Sequence, residues 1–145
     1  MSSPTDHNNV SVSRDFLAQI GDPTATGTGG ESIWSLIASQ SSKSSSSRYF
    51  PPEILPKLKH THKGTVSMAV APTLEDQKGG CGSQFFITLA DNIDYLDSKH
   101  AVFGHVVEGF DTLDKLNEVF VDQEARPFKD VRIRHIIILG TSIQL

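Results

Sequence analysis

Few side chains in this sequence are spaced for covalent chemistry. The run Gly27-Thr28-Gly29-Gly30 has the glycine density of a phosphate cradle. No Lys-Ser/Thr follows it, however, and Ser32 stands where a dinucleotide fingerprint needs its third glycine. A structural turn is the better account, since glycine adopts backbone angles that other residues resist. His60 and His62 alternate, yet no neighbouring Cys, Asp or Glu completes a metal set, so no metal is expected. The surrounding run at residues 57–63, KLKHTHK, reads as a solvated basic loop. Ser83 and His100 lack the Gly-x-Ser-x-Gly elbow of a hydrolase nucleophile. Cys81, beside two glycines, is expected to be an ordinary thiol, exposed or half-exposed. What remains is non-covalent chemistry. The chain's amide side chains can hydrogen-bond, and its aromatic and aliphatic ones can enclose an apolar group.

These groups are scattered along the chain, so a fold must assemble them. The 145 residues, 37% hydrophobic and 21% charged, suit one globular domain. A net charge of −4 gives no global basic field, and direct nucleic-acid binding is not expected. The longest unbroken aliphatic run, residues 136–139, falls far short of the ~20 that a membrane span needs. One cysteine excludes an intramolecular disulfide and fits a reducing compartment. Residues 1–9 lack the basic start and apolar stretch of a secretory signal and are expected to be a disordered polar tail. Residues 39–48, with seven serines, read as a flexible insertion, and the loop at 72–81 is likewise expected to be exposed and mobile. Strand composition marks residues 65–70, 84–89, 101–107 and 131–139. In the last of these Val131, Ile133, Ile137 and Leu139 would share one face. Phe110, Leu113, Leu116 and Phe120 recur at helical spacing. Many short strands, one clear helix and Gly-rich loops predict a mainly β barrel or sandwich over residues 10–140, with a short tail at 141–145.

Two stretches point to a family. Gly82-Ser83-Gln84-Phe85-Phe86-Ile87-Thr88 is followed by Tyr95-Leu96-Asp97-Ser98-Lys99-His100-Ala101-Val102-Phe103-Gly104. Residues 15–22 (DFLAQIGD), 27–33 (GTGGESI) and 63–69 (KGTVSMA) match in the right order. Together they resemble the cyclophilins, a family of peptidyl-prolyl cis–trans isomerases. Gly21-Asp22-Pro23-Thr24 and residues 117–122 (NEVFVD) are most similar to one branch, the nuclear peptidyl-prolyl isomerase-like 4 type, whose isomerase domain precedes an RNA-recognition domain.

The resemblance implies a fold, a site and an activity. The fold is a cyclophilin-like antiparallel β-barrel with helix, here lacking the family's first two strands and first helix. The proline pocket falls on Phe16, Leu17, Gln19, Ala69, Gln84, Phe86, Leu96 and His100. Gly27 and Ala71 fall in an adjoining pocket, and Tyr95 stands where many members carry tryptophan. The family's pocket asparagine falls on Val70, and its catalytic arginine, five positions before the phenylalanine, falls on Ser11. Arg14, two before Phe16, should project differently. The implied partners are proline-containing peptides and proteins and a cyclosporin-type ligand. No cofactor is needed, and the branch implies a nuclear location. Two functional expectations follow: an isomerase whose activity is impaired at Ser11, or a proline-peptide binding module without useful turnover.

Overall fold

The computed structural model describes residues 10–40, 47–72 and 79–140. The polar tail 1–9, residues 41–46 of the serine-rich stretch, residues 73–78 of the second loop and the tail 141–145 lie outside the described residues. The strands are β1 (Ser11–Ser13), β2 (Leu17–Ile20), β3 (Thr65–Ala71), β4 (Gly80–Thr88) and β5 (Val102–His105). The helices are α1 (Ile33–Gln40) and α2 (Phe110–Asn117), with a 3-10 turn at Asp94–Leu96. The strands make one sheet in the order β1-β2-β4-β3-β5, antiparallel throughout.

Period-two alternation gives this sheet two distinct faces, because directly paired residues project to the same side. Val12 pairs with Ala18 and Ala18 with Ile87, whereas Ser11 pairs with Gln19 and Gln19 with Phe86. The first set enters a core of Val10, Val12, Ala18, Ile20, Leu89 and Leu113, with Phe85, Ile87 and Leu116 packed against it. Helix α2 covers that face with Leu113, which is buried, and Leu116, which is half-buried. Gly109, at φ 86° immediately before the helix, sets its entry angle at a backbone conformation most side chains resist. Asp111 in the first turn and Lys115 in the last both complement the helix dipole. Phe110 and Phe120, expected on the same stripe, are instead 41% and 84% exposed.

Several expectations need correction. The chain has a further helix beyond the one the sequence marks: Ser32 Oγ accepts from Ser35 N–H at 3.2 Å and caps α1, which runs to Gln40 and so includes the first two residues of the serine-rich stretch. The second loop is shorter than composition suggested. Gly80 and Cys81 already belong to β4 and are buried, because Cys81 exchanges two backbone hydrogen bonds with Phe50 (2.8 and 3.0 Å) and also pairs with Val70. Burial therefore pushes the Cys81 thiol up from its ordinary value instead of leaving it half-exposed.

The segment 131–139 is not a strand. Val131 and Ile133 pack on the core, but residues 136–139 are 74–90% exposed and pair with no other strand among the described residues. A hydrophobic period of two needs a neighbouring ladder to become a strand, and among the described residues none runs beside residues 136–139. Ala125 and Val131 instead meet the chain at the outer edge of β1. Val12 N–H donates to Ala125 O at 2.8 Å and Val10 N–H to Val131 O at 3.3 Å.

Candidate functional site

The face opposite the core carries a continuous row across four strands: Ser11, Gln19, Phe86 and Ser67. Phe86, 1% exposed, is the anchor of a second apolar cluster. It packs with Ile93 and Leu96, and Phe16, Leu17, Ala69 and Ala90 close around them. The 3-10 turn supplies Leu96, and the segment after it supplies His100, whose ring meets Phe86 edge-on at 5.1 Å. Tyr95, 56% exposed, leans on Phe16 with ring centroids 5.5 Å apart. Phe16, Leu17, Ala69, Phe86, Tyr95, Leu96 and His100, drawn from four separate stretches of sequence, therefore form one cluster.

His60 forms the rear of that cluster, which corrects its reading as part of a solvated loop. Its side chain is fully buried and stacks on Phe86 at 6.0 Å. Asp97 Oδ1 accepts from Nδ1 at 2.8 Å, so Nε2 is left to face Ser67 Oγ, also at 2.8 Å. Both ring nitrogens are thereby occupied by protein. Burial pushes the Asp97 carboxyl up, but hydrogen bonds from the His60 ring and backbone, aided by the Lys59 charge, outweigh it and hold the group below the usual carboxylate range. No local spacing announces this triad, since its members lie 37 and 7 residues apart. His100 is shifted down, chiefly by burial, against an opposing hydrogen bond in which its Nδ1 donates to Met68 O at 3.1 Å.

Beside the aromatic cluster, two amide side chains are joined. Gln19 Nε2 donates to Gln84 Oε1 at 2.6 Å. Gln84 Nε2 in turn donates to the carbonyls of Gly27 (3.2 Å) and Gly29 (2.9 Å). Gln84 is thus committed to holding the Gly-rich loop, and Gln19 Oε1 is the amide oxygen left to accept from a peptide.

Asp22, which sequence reasoning passed over, organises the same loop. Its carboxylate accepts from the N–H groups of Thr24 (2.8 Å), Gly27 (2.6 Å) and Gly29 (3.3 Å) and from the Thr24 hydroxyl (2.7 Å). Burial raises this carboxyl, but those donors together pull it below its ordinary value. A side chain at residue 29 would meet Asp22 Oδ1 at 2.0 Å, so a glycine is required there.

Two cavities flank the Gln19–Gln84 pair. One, of about 350 Å³, is walled by Ala69, Val70 and Ala71 of β3, by Gly27 and Gly29, and by Arg48 and Tyr49. Arg48 is tied back to Gly30 O (Nε, 2.9 Å) and Thr28 O (Nη2, 2.6 Å). The other, of about 210 Å³, lies toward β1 and is lined by Ser11, Asp22, Glu124 and Arg126. Ser11 therefore sits on the site face, whereas Arg14 has a side chain 73% exposed, lies 3.9 Å from the Asp15 carboxylate and lines neither cavity.

Comparison with known proteins bears on the fold and the family. The family model for cyclophilin type peptidyl-prolyl cis-trans isomerase matches residues 7–138. The chain is similar to peptidyl-prolyl cis-trans isomerase-like 4 of Cryptococcus neoformans, at 68% identity over 129 residues, covering 88% of this chain and 25% of that protein. The Homo sapiens protein of the same name is 48% identical over 129 residues, covering 88% and 24%. A crystal structure of a Cryptosporidium parvum cyclophilin type peptidyl-prolyl cis-trans isomerase, determined in the presence of the dipeptide Ala-Pro, superposes with a TM-score of 0.74 at 34% identity, covering 94% of this chain and 78% of that one. The chain spans about a quarter of the length of the curated relatives it matches. With residues 7–138 matched and the sheet, the aromatic cluster and the glutamine pair in place, the chain belongs to the cyclophilin-type peptidyl-prolyl cis-trans isomerase family.

Proposed function

We propose that this chain binds proline-containing segments and accelerates rotation about the X–Pro bond. One observation carries the reading: Phe16, Phe86, Leu96 and His100 form an apolar cluster beside the unspent oxygen of Gln19. A pyrrolidine ring needs the first, and the N–H of its flanking peptide needs the second. The relative crystallised in the presence of Ala-Pro supports the same ligand class. Rotation is slow in water because amide resonance must be broken, at a barrier of about 18–20 kcal/mol. Gripping the ring while leaving the preceding carbonyl free to turn favours the twisted amide over either planar form. No nucleophile or cofactor takes part in such a step.

The reading extends to a cyclosporin-type ligand competing for the same face, and to a nuclear setting like that expected for the branch. The test is exchange spectroscopy by NMR on a short peptide with an Ala-Pro bond, with and without the folded chain. Faster cis–trans exchange is expected, together with its loss in Phe16→Ala. Shift changes in the peptide without faster exchange would leave a binding module, which is the reading favoured by the short neutral side chain of Ser11. Absence of both would overturn the proposal.

A further inference from the structure

We propose that Arg126 is the catalytic cation of this site, reaching the reacting amide from the turn packed against β1. The inference rests on the isomerase reading above. As an X–Pro bond twists, its nitrogen regains a lone pair, and a fixed donor directed at that nitrogen stabilises the twisted form more than the planar one.

The amide donors beside the aromatic cluster are already committed. Gln19 Nε2 serves Gln84, and Gln84 Nε2 serves the Gly27 and Gly29 carbonyls. Two arginines flank this pair, one in each cavity. Arg48 is bound to two carbonyls through Nε and Nη2. Arg126 lines the cavity it shares with Ser11, Gln19 and Gln84, and no hydrogen bond or ion pair engages its guanidinium among the described residues. The carboxylates in that cavity do not neutralise it. Asp22 is occupied by the Gly-rich loop, and Glu124 forms no ion pair with it.

The backbone that carries Arg126 is held firmly. Asp122 N–H donates to Arg126 O at 2.9 Å, and Asp122 Oδ1 accepts from the N–H groups of Glu124 and Arg126, each at 2.9 Å. Ala125, at φ 61°, turns the chain so that its carbonyl meets Val12 N–H at 2.8 Å. A five-donor cation on a fixed turn, beside a strand position that carries only a short hydroxyl, has the reach that Ser11 lacks.

The experiment measures kcat and KM for an Ala-Pro peptide with the unaltered chain, Arg126→Gln and Arg14→Gln, folding being confirmed by circular dichroism. Arg126→Gln is expected to lower kcat about a hundredfold, the low end of what loss of one preorganised donor costs, with KM nearly unchanged. Arg14→Gln removes the same charge away from the cavity and is expected to leave both constants as they were. An unchanged kcat in Arg126→Gln, or an equal fall in Arg14→Gln, overturns the role of Arg126 while the isomerase reading stands. Absence of turnover in the unaltered chain overturns both.

Discussion

Asp97 Oδ1 accepts twice from His60, from the ring Nδ1 at 2.8 Å and from the backbone N–H at 2.9 Å. One carboxylate oxygen thereby fixes both the ring orientation and the chain position of a fully buried histidine that stacks on Phe86. Asp97 directly follows the 3-10 turn that carries Leu96, so the pair also ties the Leu96 segment to the back of the aromatic cluster. Asp97→Ala would strand a buried Nδ1–H and cost about 1–3 kcal/mol. Asp97→Asn, which keeps an oxygen at the same place, should lose less. Urea unfolding of the three proteins checks this, and equal midpoints would show that the pair contributes nothing.

Asp22 gives the acid limb of the stability curve a specific source. Its donors are backbone N–H groups and a hydroxyl, none of which titrates in acid, so the carboxyl alone governs the effect. Its folded pKa is depressed below the unfolded value of about 3.9. The stabilisation is therefore complete above that unfolded value and is lost as pH falls through the lower folded one. Asp22→Asn is expected to be less stable at pH 7 and to show a flatter decline below pH 4. Thermal midpoints from pH 7 to pH 2 measure both, and parallel curves would contradict the assignment.

Where local pattern and tertiary pairing agree, the sequence was informative. Residues 65–70 and 84–88 form strands as their β-branched and aromatic content demands, and the Phe85/Phe86 alternation sends Phe85 to the core and Phe86 to the other face. The residues named for the pocket came from family motifs, and their meeting in space depends on β2, β3, β4 and the 94–100 segment at once. Pattern failed where partners are distant. His60 looked like one charge in a basic run because Asp97 is 37 positions away. Arg126 carried no local signal, since the contact that brings it to β1, Ala125 with Val12, joins distant parts of the chain. The aliphatic period at 131–139 promised a strand, yet residues 136–139 find no neighbouring strand among the described residues.

Ser11 offers a second route into the cavity that Arg126 lines. Its register opposite Gln19 places it on the site face, at the edge strand of the row. An arginine there would enter the same cavity from the strand instead of the turn. Ser11→Arg made in the Arg126→Gln background is expected to recover at least about tenfold in kcat, since a charged, many-donor group replaces a single neutral hydroxyl. Activity as low as in Arg126→Gln alone would show that position 11 does not project to the reacting amide.

Residues 136–139 expose Ile136, Ile137, Ile138 and Leu139 at 74–90%, the longest aliphatic run in the sequence. They pair with no strand among the described residues, so exposed backbone groups and apolar side chains coincide. That combination is a template for a second strand, because pairing satisfies the backbone and removes apolar area from water together. The β5 edge, unpaired on its outer side among the described residues, adds another ladder, with Phe103 58% exposed beside it. The chain is therefore expected to self-associate as its concentration rises. Ile137→Lys with Leu139→Lys places charges two apart on one face of the run and should suppress association without touching Val131 or Ile133, which pack on the core. Sedimentation velocity across a hundredfold concentration range decides between them. A monomeric unaltered chain at every concentration, or equal association in the double variant, would locate the adhesive surface elsewhere or show that none exists.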